Sequence, residues 1–141
     1  MVGSVAYALL AIPLAFLVVT KRFFSPMPVV IALQAAGVLV VVWARVTFGM
    51  RSFHVGPNAT QGGLVTTGPY RFVRHPIYAG VLIVLAGVLV GHHDVTTLIP
   101  VACVALALIV RIVAEERAVL RTYPEYAGYA QRTKRIIPWV L

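Results

Sequence analysis

Charge is scarce in this chain. Only 11% of its 141 residues are Asp, Glu, Lys or Arg, against about 25% in a soluble domain. From Met1 to Thr20 there is no charged side chain. With 60% apolar residues and a mean hydropathy of +0.92, an ordinary soluble globule is excluded and a membrane protein is expected. Cysteine is nearly missing. Cys103 stands alone in an apolar run, which excludes an intrachain disulfide and a multi-cysteine zinc site. Its residue type there is that of a small buried or lipid-facing apolar group. Histidines are few and are not grouped as ligands. His54 has no second ligand at metal spacing, and His92-His93-Asp94 reads as a solvated turn, so no metal is expected. Acidic residues are scarce too, four against twelve basic, for a net charge of +8. There is no dense basic tract and no nucleic-acid-binding motif. The basic residues lie between and after apolar segments, the pattern of a membrane protein facing anionic lipid. Neither an internal repeat nor a low-complexity segment is present, and the length suits one compact bundle.

What is there is a series of apolar runs. A spanning helix needs about 20 residues, and residues 2–20 supply one, with Pro13 inside it. Lys21 and Arg22 follow this run rather than precede it, the reverse of a secretory signal peptide, so an uncleaved first span is expected. After the Ser25-Pro26-Met27-Pro28 turn, a second span is expected over about 27–44, ending at the interfacial Trp43 and Arg45. A third covers 76–91, about 24 Å at helical rise. A fourth begins at 95 and has no glycine or proline after Pro100, so it is expected to run on to 122 as a cytosolic extension. Pro124 then opens a short C-terminal helix over about 124–133. The fold class is thus all-α integral membrane, with four transmembrane helices. Gln34 and Gly37 read as packing positions, and Gly80, Gly87 and Gly91 let another helix approach closely. The long polar connection 45–67 is expected to lie over the cytosolic mouth of a site as a lid.

Four spans put both ends of the chain on one side. That side would receive ten of the twelve basic residues, from Arg45 to Arg135, and the other only Lys21 and Arg22. The positive-inside rule then places both termini in the cytosol of a multi-pass cell- or inner-membrane protein. It also brings two polar segments to one membrane face. The first, Thr66 to Gly80, crowds Arg71, Arg74, His75 and Tyr78 around a helix start at Pro76. Proline is tolerated there because the first N–H has no intrahelical partner. The remaining free N–H groups and the positive dipole end suit an anion. The same residue types would also serve as plain interfacial anchors. In the second segment, Arg111 and Glu115 are four apart and can meet on one helix face. Glu116 lies about 100° round from Glu115.

Gly68-Pro69-Tyr70-Arg71-Phe72-Val73-Arg74-His75-Pro76-Ile77-Tyr78-Ala79-Gly80 resembles the G-P-Y-x-x-x-R-H-P-x-Y-x-G signature of an integral-membrane methyltransferase superfamily. That superfamily comprises the isoprenylcysteine carboxyl methyltransferases and the phospholipid methyltransferases. Glu115-Glu116-Arg117, then Tyr123-Pro124-Glu125-Tyr126, Tyr129 and Arg135-Ile136-Ile137-Pro138 resemble the ending of the same family. The two blocks span about half the chain, in the family's order. Tyr123 stands where many relatives have Phe. The chain is also shorter at its start than the eukaryotic enzymes that act on prenylated cysteine, so that substrate does not carry over.

The resemblance implies an enzyme that binds S-adenosylmethionine through Arg74, His75, Tyr78, Glu115 and Glu116. The helix start would hold the carboxylate of that molecule. One glutamate would take its amino group or ribose, and the other would pair with Arg111 or Arg117. Arg132 and Arg135 are the candidates for fixing an anionic acceptor during catalysis; Arg135 matches the family's R-x-I-P arginine. The implied partners are S-adenosylmethionine, membrane lipids, and a lipophilic or small acceptor bearing a carboxylate, thiol or amine. No nucleic acid is implied. Membrane sterol reductases share a related R-H-P-x-Y block and bind NADPH. They differ at the positions of Pro69 and Val81 and have many more spans. A non-enzymatic membrane subunit is the third reading, and it leaves the clustered Arg, His, Tyr and Glu without a purpose.

Overall fold

The computed structural model describes residues 2–49 and 64–137, with side chains from Leu9 onward. The expected lid falls largely within 50–63, as does His54, so both lie outside the described residues, as do 138–141 of the apolar tail. Five α-helices carry the described chain: α1 (Val2–Val19), α2 (Pro28–Phe48), α3 (Pro76–Gly91), α4 (Val95–Thr122) and α5 (Tyr126–Arg132). A 3-10 turn, Gly68–Arg71, precedes α3. There is no named strand among the described residues, only a parallel bridge between Val73 and Lys134.

Local chemistry sets the helix bounds. Both α2 and α3 begin with a proline in the first turn, where its fixed φ is already helical. At the start of α4, the Asp94 side chain accepts from the Thr97 N–H, a side-chain cap. α2 continues four residues past the expected end at Ala44, because Arg45-Val46-Thr47-Phe48 contains no breaker. It stops at Gly49, whose φ is +66°, a left-handed value that glycine adopts without strain.

Two turns meet at one end of the bundle. Arg22, after α1, forms an ion pair with Asp94, between α3 and α4. His92 Nε2 lies 3.2 Å from the Phe24 carbonyl oxygen. The helices therefore alternate in direction, and the 64–75 segment, the last turns of α4 and α5 gather at the opposite end. α1 packs mainly on α4, and α2 on α3. The α2–α3 contact is backbone on backbone. A Cβ on Gly37 would sit 2.5 Å from the Gly80 carbonyl oxygen, and a Cβ on Gly80 2.6 Å from that of Gly37. Leu17, Leu85, Val88, Val101, Val104 and Leu108 form the buried core.

Outside this core the helices stay apolar. Ile12, Leu39, Val46, Leu106 and Val110 are exposed. Two helices, Pro28–Phe48 and Val95–Thr122, are long and apolar enough to cross a membrane. Pro76–Gly91 and the Leu9–Val19 part of α1 are apolar but shorter. By length and composition the described helices thus supply two candidate spans where the sequence led us to expect four.

Candidate functional site

The buried stripe of α4 runs Thr97, Val101, Val104, Leu108, Ile112 and ends on Glu116. Each step is three or four residues, so the glutamate falls on the face turned into the bundle. Burying a carboxylate there is costly unless it is paired and hydrogen-bonded. Glu116 is both. Arg74 Nε donates to its Oε1 at 2.9 Å and Arg135 Nε to its Oε2 at 3.1 Å. The Tyr126 hydroxyl donates to Oε1 at 3.4 Å. His75 Nε2 lies 3.4 Å from the same oxygen, is buried, and makes no hydrogen bond.

Glu115, round the helix from Glu116, belongs to a second set. Arg111, one turn earlier, donates from Nη2 to its Oε1 at 2.9 Å, and the Tyr78 hydroxyl donates to the same oxygen. Arg111 Nε also donates to the Tyr78 oxygen at 3.1 Å. His75 and Tyr78 stack with ring centroids 5.6 Å apart and planes 12° from parallel. His75 Nδ1 is 3.9 Å from Glu115 Oε2. The imidazole thus sits between the two carboxylates.

The C-terminal segment closes the arrangement. The Arg74 and His75 N–H groups donate to the carbonyls of Lys134 and Arg135 at 2.8 and 2.9 Å. Arg74 Nη1 donates to the Ala130 carbonyl at 2.8 Å and to that of Thr133. The Tyr129 hydroxyl donates to the Tyr70 carbonyl at 2.6 Å. Burial pushes the Tyr129 hydroxyl up to about 12 and raises that of Tyr126 as well, so both remain donors at neutral pH. The Ile77 and Tyr78 N–H groups at the start of α3 have no backbone partner among the described residues.

Six of the seven residues singled out from the sequence therefore converge: Arg74, His75, Tyr78, Glu115, Glu116 and Arg135. Arg132 does not join them. It is exposed, and its side chain shows no ion pair or hydrogen bond among the described residues. The sequence left open whether Arg111 or Arg117 pairs with a glutamate, and the structure chooses Arg111 with Glu115. Tyr126 belongs to the cluster without having been counted a site residue. Its place three residues before Tyr129, on one face of a short helix, was the available signal. Between the end of α2 and the chain before the 3-10 turn lies a recess of about 310 Å³ lined by Thr47, Phe48 and Leu64–Thr67. It adjoins Gly68, whose φ of +56° brings its backbone against Thr47.

The sequence pattern of the isoprenylcysteine carboxyl methyltransferase family matches residues 26–121, well over half of the chain. The chain belongs to this family. Its members are membrane-integral. The matched stretch contains the Arg74–Tyr78 block and both glutamates but not Tyr126, Tyr129 or Arg135. Among curated relatives, the nickel-cobalt-cadmium resistance protein NccN of Alcaligenes xylosoxydans xylosoxydans is 34% identical over 110 residues, covering 76% of this chain and 50% of its own. Methanethiol S-methyltransferase 1 of Bradyrhizobium diazoefficiens is 36% identical over 88 residues, 60% of this chain and 30% of its own. The cobalt-zinc-cadmium resistance protein CzcN of Cupriavidus metallidurans is 36% identical over 77 residues, 53% of this chain and 35% of its own. The chain thus spans half or less of the length of each of these relatives. No solved structure matches it.

Proposed function

We propose that this family member is an S-adenosylmethionine-dependent methyltransferase of the membrane. In this reading it acts at the cytosolic face on a lipophilic or small acceptor. The observation that carries the reading is the convergence of the His75–Tyr78 helix start with Glu115 and Glu116 at one end of the bundle. The donor set fits the cofactor. Free N–H groups at the start of α3 match a carboxylate. A glutamate matches an ammonium or ribose hydroxyls, and the buried His75 Nε2 has its hydrogen-bonding capacity unspent. Of the two glutamates, Glu116 is the one we assign to the cofactor. Its Oε2 is held among the described residues by Arg135, whose side chain is half exposed and can give way to a ligand, and its Oε1 lies beside His75 Nε2, whereas Arg111 and Tyr78 tie Glu115 into the bundle.

S-adenosylmethionine supplies an activated methyl group on a sulfonium. The protein's own part is alignment and exclusion of water. Tyr78, fixed by Glu115 and Arg111, holds the His75 ring flat against itself. The Glu116 and His75 side chains are each only 10% exposed, which limits water at that end of the site. Among the acceptor classes, a thiol draws support from the likeness to a methanethiol S-methyltransferase.

Calorimetric titration of the detergent-solubilised chain with S-adenosylmethionine and, separately, NADPH tests the reading. We expect binding of the first. Glu116→Gln and His75→Ala should each weaken it about 10- to 100-fold, the worth of a hydrogen bond to a charged group, and His54→Ala should leave it unchanged. NADPH binding without S-adenosylmethionine binding would overturn the assignment in favour of a reductase, and equal losses in all three variants would overturn the site map.

A further inference from the structure

Two arginines hold Glu116, and they are held very differently. The Arg74 side chain is 10% exposed and has three protein acceptors: Glu116 Oε1 and the carbonyls of Ala130 and Thr133. Moving it would take that donor from two backbone carbonyls and the cation from Glu116 Oε1, where the Tyr126 hydroxyl would remain. The Arg135 side chain is 53% exposed and touches one acceptor among the described residues, Glu116 Oε2. Its backbone is fixed independently, because the Arg135 carbonyl accepts from the His75 N–H. The guanidinium can therefore swing into solvent without loosening the chain that carries it. A half-exposed single bond of this kind is weak, because solvent screens it, while the buried Arg74 keeps Glu116 paired whether or not Arg135 is in place.

We propose that Arg135 is a releasable counter-ion of Glu116, which the cationic amino group of the methyl donor displaces from Oε2 on binding. The inference rests on the cofactor reading above. Arg74 is the permanent partner that keeps the carboxylate charged and aimed. Arg135 satisfies the other oxygen while the site waits, and so competes with the ligand. Removing a competitor strengthens binding, whereas removing a merely structural residue weakens it, so the sign of the effect separates the two roles.

The test is calorimetric titration of S-adenosylmethionine into the full chain in detergent, with Arg135→Ala, Arg135→Lys, Arg74→Ala and, as a charge control, the exposed Arg121→Ala. We expect Arg135→Ala to bind roughly two- to fivefold more tightly than the unsubstituted protein, the factor by which a pair of that strength competes. Arg135→Lys should fall between the two. Arg121→Ala should leave affinity unchanged, and Arg74→Ala should weaken binding. Tightening by Arg121→Ala equal to that of Arg135→Ala would reduce the effect to net charge and overturn the proposal. So would a loss of affinity, or no change, in Arg135→Ala while Glu116→Gln still weakens binding. If the unsubstituted protein binds no S-adenosylmethionine, it is the cofactor reading that fails. Where Arg135→Ala proves unstable, Arg135→Gln gives the same comparison with most of the side-chain stem retained.

Discussion

Arg74 shows at the scale of one residue how a motif position ties distant parts of the chain together. Its guanidinium spans from Glu116 to the carbonyls at the end of α5. A planar fork can satisfy acceptors in different directions at once, and a lysine ammonium on a flexible stem cannot reproduce that geometry. Breaking a buried pair costs about 3–5 kcal/mol because the remaining charge is left uncompensated. Arg135 still covers one oxygen of Glu116, so we expect Arg74→Ala to cost about 3 kcal/mol, with little recovery in Arg74→Lys. Thermal unfolding in detergent measures this, and a midpoint unchanged by Arg74→Ala would show the network to be dispensable. Glu116 illustrates how far spacing alone could reach. The three- and four-residue steps of α4 placed it on the buried face, but its partners come from 42 residues earlier and 19 later, a separation that no local pattern encodes.

At the scale of elements, the pairing of α2 with α3 positions the motif. The Gly37–Gly80 crossing lets the two backbones touch, and Gly80 is the last residue of the Gly68–Gly80 block. The carbonyls there are backbone atoms and cannot rotate away. We therefore expect Gly37→Ala to force the helices apart at a cost of about 1–3 kcal/mol, the usual range for overpacking. Gly128, in α5, has nothing within 4 Å of where a Cβ would stand. Gly128→Ala should stabilise by up to about 1 kcal/mol through helix propensity alone. Unfolding midpoints moving the same way in both variants would contradict the close-approach account. The small-residue pattern was readable in the sequence; which glycine faces which was not. Trp43 and Arg45 mark an interface by chemistry, while the backbone hydrogen bonds of α2 continue past them to Phe48.

At the scale of the whole molecule, the two ends of the bundle differ. The Arg22–Asp94 pair and His92 mark one, and Arg74, Arg111, Arg135 and the two glutamates mark the other. If the bundle spans the bilayer as the distribution of basic residues predicts, the second end faces the cytosol. Cys103 is the one native thiol, so a Cys103→Ser background accepts single reporters. We expect His93→Cys to react with a membrane-impermeant maleimide in intact cells. Arg121→Cys should react only after permeabilisation. Both reacting from the same side would rule out the alternating topology in the membrane.

By itself the sequence determined the all-α class, the membrane character and the family. These follow from composition, from apolar runs of helical length, and from two ordered blocks of residues, all properties carried along the chain. Only the tertiary structure decided that Glu115 is tied to Arg111 and Tyr78, that Arg74 and Arg135 share Glu116, and that Arg132 stays outside. Those outcomes depend on which side chains meet across α3, α4 and the segment after α5. The physical reason is that a buried carboxylate takes the cations that folding brings within about 3 Å of it, whatever their distance along the sequence.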